Sequence, residues 1–315
     1  MNTGWWVRCL SWLLLWQAGL AQALEPGDYR FELQQGGQAR EYRVHVPQGL
    51  TPGRPVPLLL ALHGGGGHAA LQADEARYGL ISKSEQAGFV VVFPNGYSRF
   101  PGGRLATWNA GLCCGAARDR GSDDVGFIRA LLADLQARMP VLDTRRRYAI
   151  GMSNGGMMAH RLGCEAADLF AGIAAVAGTD NTRDCQPAQP LAVLQIHARD
   201  DDHVLFGGGA GPGAFRDRSQ VTEFRSVPET MSRWAARNRC PTAFAPERVL
   251  ERPGAYCERY RGCAAPLQLC VSEQGGHSWP GGGETRRGKA PPSQAFRAND
   301  IIWDFFEASA QARTP

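Results

Sequence analysis

Unbroken apolar runs alternate along the chain with stretches of helical periodicity. Val56-Pro57-Leu58-Leu59-Leu60-Ala61-Leu62, Phe89-Val90-Val91-Val92-Phe93, residues 170–177 and residues 191–197 carry few polar side chains. Such runs are the pattern of strands buried on both faces. Between them, residues 123–139 set Val125, Ile128, Leu132, Leu135 and Met139 on one stripe, behind Asp123 and Asp124 at the electropositive start of the helix this predicts. The spacing predicts further helices over 75–87, closed by Gly88, and over 154–164, 227–238 and 299–308. Alternating strands at 29–35 and 41–46 flank the hairpin turn Gly36-Gly37. Residues 98–122, 207–213 and 275–292 read as loops, and short strand-like pieces fall between 248 and 271. Strands alternating with helices give an α/β class with a mostly parallel central sheet flanked by helices. No repeat or linker divides the chain, so one domain is expected over residues 24–315.

The first residues break the pattern. Arg8 precedes the apolar run Leu10 to Trp16, and Ala21-Gln22-Ala23 offers a small-x-small cleavage site. This is the layout of a secretory signal peptide over residues 1–23, and the run is too short to span a bilayer. The expected location is therefore extracellular or periplasmic, with no integral membrane span in the mature chain. The cysteines agree with export. Cys9 lies in the leader, and Cys113, Cys114, Cys164, Cys185, Cys240, Cys257, Cys263 and Cys270 suit a disulfide-stapled fold. The last four are close enough in sequence to pair among themselves. Cys113 and Cys114 are expected to reach separate partners, with Cys164 and Cys185 the candidates. No paired C-x-x-C motifs suggest zinc. A net charge of +4 over 315 residues, without a basic stripe, gives no sign of nucleic-acid binding.

The chemistry centres on Gly151-Met152-Ser153-Asn154-Gly155. G-x-S-x-G is the nucleophile elbow of α/β-hydrolases, in which a serine projects from a sharp strand-to-helix turn. Small flanking residues let strand and helix approach, and the N–H of Asn154 would face a developing oxyanion. The strand before His63-Gly64-Gly65-Gly66-Gly67 runs into four glycines, a segment that brings backbone N–H groups close to a ligand. A serine nucleophile needs a base and an orienting acid. His277, in the glycine-rich Gly275-Gly276-His277-Ser278-Trp279, is the expected base. His203 is its rival. The acid should follow the strand at 191–197, where Asp200, Asp201 and Asp202 all qualify. Trp108 and Trp279 are candidates for the wall of a substrate pocket, or else for packing. Nothing calls for a metal or an organic cofactor.

Together His63 to Gly67, Trp108-Asn109 with Cys113-Cys114-Gly115, Asp124 to Ile128, Gly151 to Gly156 and Gly276 to Gly281 resemble the secreted esterases grouped as polyhydroxybutyrate depolymerase-like and feruloyl esterase-like. The match covers nearly all of the mature chain. The resemblance implies an α/β-hydrolase fold and a Ser-Asp-His triad. Its acid motif resembles His197-Ala198-Arg199-Asp200-Asp201 and implies Asp201, although Ala198 and Asp202-His203 depart from the family pattern. It further implies that Gly64 or Gly65 joins Asn154 in the oxyanion hole. The expected activity is hydrolysis of carboxylic esters through an acyl-enzyme, with hydroxybutyrate oligomers as first substrate and feruloyl or acetyl-xylan-type esters as alternative. A peptidase and a non-catalytic binding protein on an esterase scaffold are the rival readings.

Overall fold

The computed structural model describes residues 24–214, 223–283 and 291–312. The expected leader and part of the 275–292 loop lie outside these residues. The strands are β1 (Gly27–Gln35), β2 (Gln38–Val46), β3 (Val56–Leu62), β4 (Val90–Pro94), β5 (Leu142–Met152), β6 (Gly172–Val176), β7 (Ala192–Ala198), β8 (Glu247–Arg252), β9 (Ala255–Tyr260) and β10 (Leu267–Ser272). They form one sheet in the order β1-β2-β4-β3-β5-β6-β7-β10-β9-β8. The strands from β4 to β10 in that order are parallel, and antiparallel pairs close both margins. This is the α/β-hydrolase arrangement expected from the alternation of elements.

The apolar runs are buried on both faces because helices cover both. The helices are α1 (Ala69–Gln72), α2 (Glu75–Tyr78), α3 (Leu80–Ala87), α4 (Gly115–Asp119), α5 (Asp124–Arg138), α6 (Asn154–Glu165), α7 (Val227–Arg237) and α8 (Ala298–Gln311). Successive residues of β3 divide between two cores. Leu58, Leu60 and Leu62 join Ile128, Leu132, Leu162 and Trp234 from α5, α6 and α7. Leu59 and Ala61 join Leu80, Trp303 and Phe306 from α3 and α8. The period-2 alternation of a strand is what sends neighbouring leucines to opposite layers. The expected α5 stripe is buried as a whole, with Phe127 and Leu131 added to it. Asp123 caps α5 by accepting from the Gly126 N–H at 2.8 Å.

Two expectations need correction. The helix predicted over 75–87 is two helices, α2 and α3, because Gly79 adopts φ 60° between them. Asn299 of α8 donates from Nδ2 to the carbonyls of Tyr78 (2.7 Å) and Gly79 (3.1 Å), which satisfies the broken turn. Second, Cys113 and Cys114 do not reach out to Cys164 and Cys185. They are bonded to each other across a cis peptide. Cys164, at the end of α6, and Cys185, in the connection from β6 to β7, lie side by side and are spent on each other. The last four cysteines do pair among themselves. Cys257–Cys270 joins the neighbours β9 and β10, and Cys240–Cys263 ties the segment after α7 to the β9–β10 turn.

The Cys164–Cys185 bridge closes a loop of sequence separation 21. A crosslink of that span removes chain entropy worth about 3 kcal/mol from the unfolded state. The double variant C164A/C185A is expected to lose about that much unfolding free energy in urea titrations under oxidising conditions. An unchanged midpoint and slope would show that the bridge contributes nothing.

Candidate active site

Ser153 sits between β5 and α6 with φ 55° and ψ −123°, a conformation that non-glycine residues rarely take. The glycines around it are there for contact. A Cβ on Gly151 would lie 2.3 Å from the Gly155 carbonyl carbon, and one on Gly155 would lie 2.3 Å from the Leu62 oxygen. Gly178, after β6, passes so close that its Cβ would fall 2.2 Å from the Ser153 oxygen. The elbow is thus wedged between the ends of β3 and β6. Asn154 is the first residue of α6, so its N–H has no acceptor within the helix.

The four-glycine segment leaves β3 beside the elbow. Its shape is set by His63, whose Nδ1 bonds the Gly64 carbonyl (2.8 Å) while Nε2 accepts the Gly96 N–H (2.9 Å). Nε2 must be bare to accept, so the proton is on Nδ1. Backbone bonds take up the N–H groups of Gly66, to Ala106 O (2.8 Å), and Gly67, to Gly64 O (3.0 Å). The Gly64 and Gly65 amides are therefore the ones left as oxyanion candidates. A Cβ on Gly64 would touch the Ser153 Cβ at 3.5 Å, and one on Gly65 would touch the Asn154 Cβ at the same distance.

At the ends of β7 and β10 the three aspartates take different partners. Asp200 accepts from the backbone N–H of Gly276 (2.8 Å) and Gly275 (3.3 Å), pinning the His277 loop. Asp201 faces His277, whose Nδ1 lies 2.9 Å from Oδ2 and 3.1 Å from Oδ1. Asp202 faces His203 Nδ1 at 2.6 Å. Asp201 Oδ1 also accepts the N–H groups of His203 (2.8 Å) and Val204 (2.9 Å). Burial alone would raise its pKa. Hydrogen bonds from His197 and His277, and their attraction, outweigh that and hold the carboxyl well below the usual range. His203 Nδ1 faces Asp202, not Asp201. Its ring stacks on His277 with centroids 4.4 Å apart. Asp201, His203 and His277 are also the one group of potential metal ligands among the described residues. Both Nδ1 atoms there already face carboxylates.

Neither tryptophan offers a face to a ligand, which corrects the pocket-wall expectation. Trp108 is fully buried. Its indole donates to His63 O (3.0 Å), its N–H donates to Asn154 Oδ1 (2.7 Å), and its carbonyl accepts from Asn154 Nδ2 (2.9 Å). Trp279 is 3% exposed, donates to Asn299 Oδ1 (2.9 Å) and meets Tyr78 edge to face. Both indoles lie where the fold needs large apolar volume with one donor satisfied. His197, which the sequence gives only as the start of the acid motif, has its Nε2 3.3 Å from Asp201 Oδ2. Its spacing four residues before Asp201 was the available signal.

The family model described as "Putative esterase" matches residues 34–255, which include Ser153 and Asp201 and end before His277. Feruloyl esterase B of Piromyces equi is 30% identical over 252 residues, 76% of this chain and 42% of the relative, so the chain spans less than half of that protein. The putative esterase NocK of Nocardia uniformis subsp. tsuyamanensis is 32% identical over 262 residues, covering 78% of this chain and 72% of that one. Among solved structures, an acetyl xylan esterase from Aspergillus awamori superimposes with a TM-score of 0.60 at 15% identity, over 89% of this chain and 99% of the other.

Burial lowers the His63 pKa from 6.5 to about 4. The unfolded chain takes a proton at this residue as pH falls through 6.5, and the folded chain does not until about 4. The contribution to stability is complete above the higher value and is lost as pH falls across the window, amounting to about 3 kcal/mol. Urea unfolding of the parent at a series of pH values in that interval should show stability declining with acid. His63→Asn should flatten the slope, and an unaltered slope would remove His63 as its source.

Proposed function

The chain belongs to the "Putative esterase" family and is a carboxylic ester hydrolase, and from that premise we propose that it works as a secreted serine esterase with the triad Ser153, His277 and Asp201. Ser153 Oγ attacks the ester carbonyl while His277 Nε2 takes its proton. The tetrahedral oxyanion is held by the Asn154 N–H and by Gly64 or Gly65. Collapse expels the alcohol, which receives the proton from His277, and leaves an acyl-serine. Water, deprotonated by the same imidazole, then releases the acid and restores the serine. Asp201 keeps the His277 proton on Nδ1 and stabilises the imidazolium.

The observation that carries this reading is the convergence at one edge of the sheet. β3, β5, β7 and β10 are parallel, and the glycine segment, Ser153, Asp201 and His277 each follow the C-terminal end of one of them. Functional loops of parallel sheets gather at that edge. The strained elbow and the His277–Asp201 bond add to it.

For substrate, the reading favoured is an aromatic ester of the feruloyl type, supported by similarity to feruloyl esterase B. Hydroxybutyrate oligomers draw no such support. With both indoles buried, Leu105 is the exposed apolar side chain nearest in sequence to the glycine segment's partner. It is 62% exposed and adjoins Ala106, which pairs with Gly66 and Gly67. Export is supported by the leader pattern over residues 1–23 and by four disulfides, which persist in oxidising compartments. One catalytic domain would then occupy the chain from residue 24.

Ser153→Ala is expected to lower turnover of an aryl ester by several powers of ten with folding intact. Parent-like turnover would end the serine mechanism. In a panel of methyl ferulate, acetylated xylo-oligosaccharides and hydroxybutyrate oligomers, methyl ferulate should give the highest kcat/KM. A preference for either of the others would overturn the substrate assignment while leaving the mechanism standing.

A further inference from the structure

Behind Asp201 runs a line of buried polar side chains that the proposed chemistry does not use. Trp234 Nε1 lies 2.9 Å from His160 Nδ1. His160 Nε2 lies 3.0 Å from Gln195 Oε1. Gln195 Nε2 lies 3.2 Å from His197 Nδ1. His197 Nε2 lies 2.8 Å from Val204 O and 3.3 Å from Asp201 Oδ2. Trp234, His160 and Gln195 are fully buried and His197 is 1% exposed, so water does not compete for these bonds.

We propose that His197 is a positioning residue for Asp201, and that the indole N–H of Trp234 dictates its tautomer through His160 and Gln195. The inference rests on the triad reading above and concerns the same site. An indole N–H can only donate, so His160 Nδ1 must be bare and its proton must sit on Nε2. Gln195 Oε1 accepts that N–H, beside a bond from His160 to the Gly178 backbone, and the amide NH2 is turned to the His197 side, where Ile196 O also lies 3.5 Å from it. His197 Nδ1 must then accept, so its proton sits on Nε2, aimed at Val204 O and Asp201. Reversing the amide would set its oxygen against the bare Nδ1 of His197 and N–H against N–H at His160 Nε2. A second proton on either imidazole would set N–H against N–H at Nδ1, so the line holds both rings neutral. Burial also pushes the His160 pKa down, against the pull of Asp180.

Neutrality is what matters to the chemistry. Asp201 holds two imidazoles, one locked as a neutral donor and one, His277, free to gain a proton. A cationic His197 would spend the carboxylate's charge before His277 needed it. The charged groups beside the line are Asp180 and Arg237, which act on His160. Asp180, beside His160, is paired with Arg233 (2.9 Å) and Arg237 (2.7 Å). Phe206 lies edge-on against His197, with Arg199 over the other ring. On the far side of the site, His203 stacks on His277 and carries Asp202 on its Nδ1.

The test begins with the parent enzyme. Nitrogen-15 NMR of the histidine side chains at pH 7 should show His160 and His197 neutral and protonated on Nε2. His197 charged, or protonated on Nδ1, would overturn the proposal without any variant having to fold. Kinetics on a soluble aryl ester supply the second reading. His197→Leu should lower kcat about tenfold to a hundredfold, the range for outer-shell partners of an active-site group, with KM within about twofold. His197→Gln, which can present an N–H near the same point, should recover most of that loss. Gln195→Glu draws a second proton onto His197 and should move the acid limb of kcat/KM to lower pH, because the cation competes with His277 for Asp201. A folded His197→Leu enzyme with parent kcat, or an unmoved acid limb in Gln195→Glu, would overturn the role. Active Ser153→Ala protein would remove the triad itself. Inactive Ser153→Ala protein with His197 protonated on Nδ1 would overturn this inference alone.

Discussion

The backbone contact at the elbow constrains everything around it. Gly151 and Gly155 approach to a distance that admits no Cβ, and Gly155 presses on the Leu62 and His63 carbonyls at the end of β3. Gly178 closes the other side against the Ser153 carbonyl. Three adjacent parallel strands, β3, β5 and β6, are therefore locked together at their C-terminal ends. The strained φ of Ser153 survives because its surroundings over-determine it. The same contact seats the glycine segment beside the first turn of α6, where the helix has unpaired amides and a positive end.

The outer loop hangs from this core by polar bonds rather than apolar packing alone. Asn154 grips the backbone of Trp108 from both sides, and Asp124 receives Arg40 at 2.8 Å and the Asn109 N–H at 2.7 Å. Arg40 in turn lies 4.1 Å over the Phe127 ring. Both members of the Arg40–Asp124 pair are buried and each has further hydrogen bonds, the condition under which a buried ion pair is tolerable. A helix-dipole argument places Asp124 at the start of α5, yet in the structure Asp123 does the capping and Asp124 holds the loop.

The fold was legible because its signals are local. Apolar runs, a helical stripe and a glycine after a strand read the same in the sequence as in space. What stayed hidden depended on distant partners. Gly88 ends a helix as its type suggests, whereas the break at Gly79 is matched by Asn299, far along the chain, which donates to the Tyr78 and Gly79 carbonyls. The last four cysteines paired among themselves as their closeness in sequence suggested, whereas Cys164 and Cys185 found each other because the end of α6 meets the β6–β7 connection. Trp108 and Trp279 sat in suggestive motifs, but a motif does not say which way a ring points. Among Asp200, Asp201 and Asp202, successive side chains diverge, and only the path of the His277 loop decides which meets which partner.

Asp180 and Asp201 are two buried carboxylates held in different ways, and the proposed chemistry draws on the second alone. Each is buried, and each has a pKa held below the usual range although burial alone would raise it. Asp180 is neutralised outright by Arg233 and Arg237, with Thr182 adding a hydroxyl and an amide. Its charge is met in the resting state by two guanidinium groups, with His160 also drawn to it. Asp201 is held by backbone amides and two imidazoles, and among the described residues no guanidinium or ammonium pairs with it. Fixed dipoles keep it ionised without cancelling it. A carboxylate satisfied in that way retains attraction for one more positive charge. In the proposed mechanism that charge comes from His277, whose side chain is 11% exposed while that of His197 is fully buried.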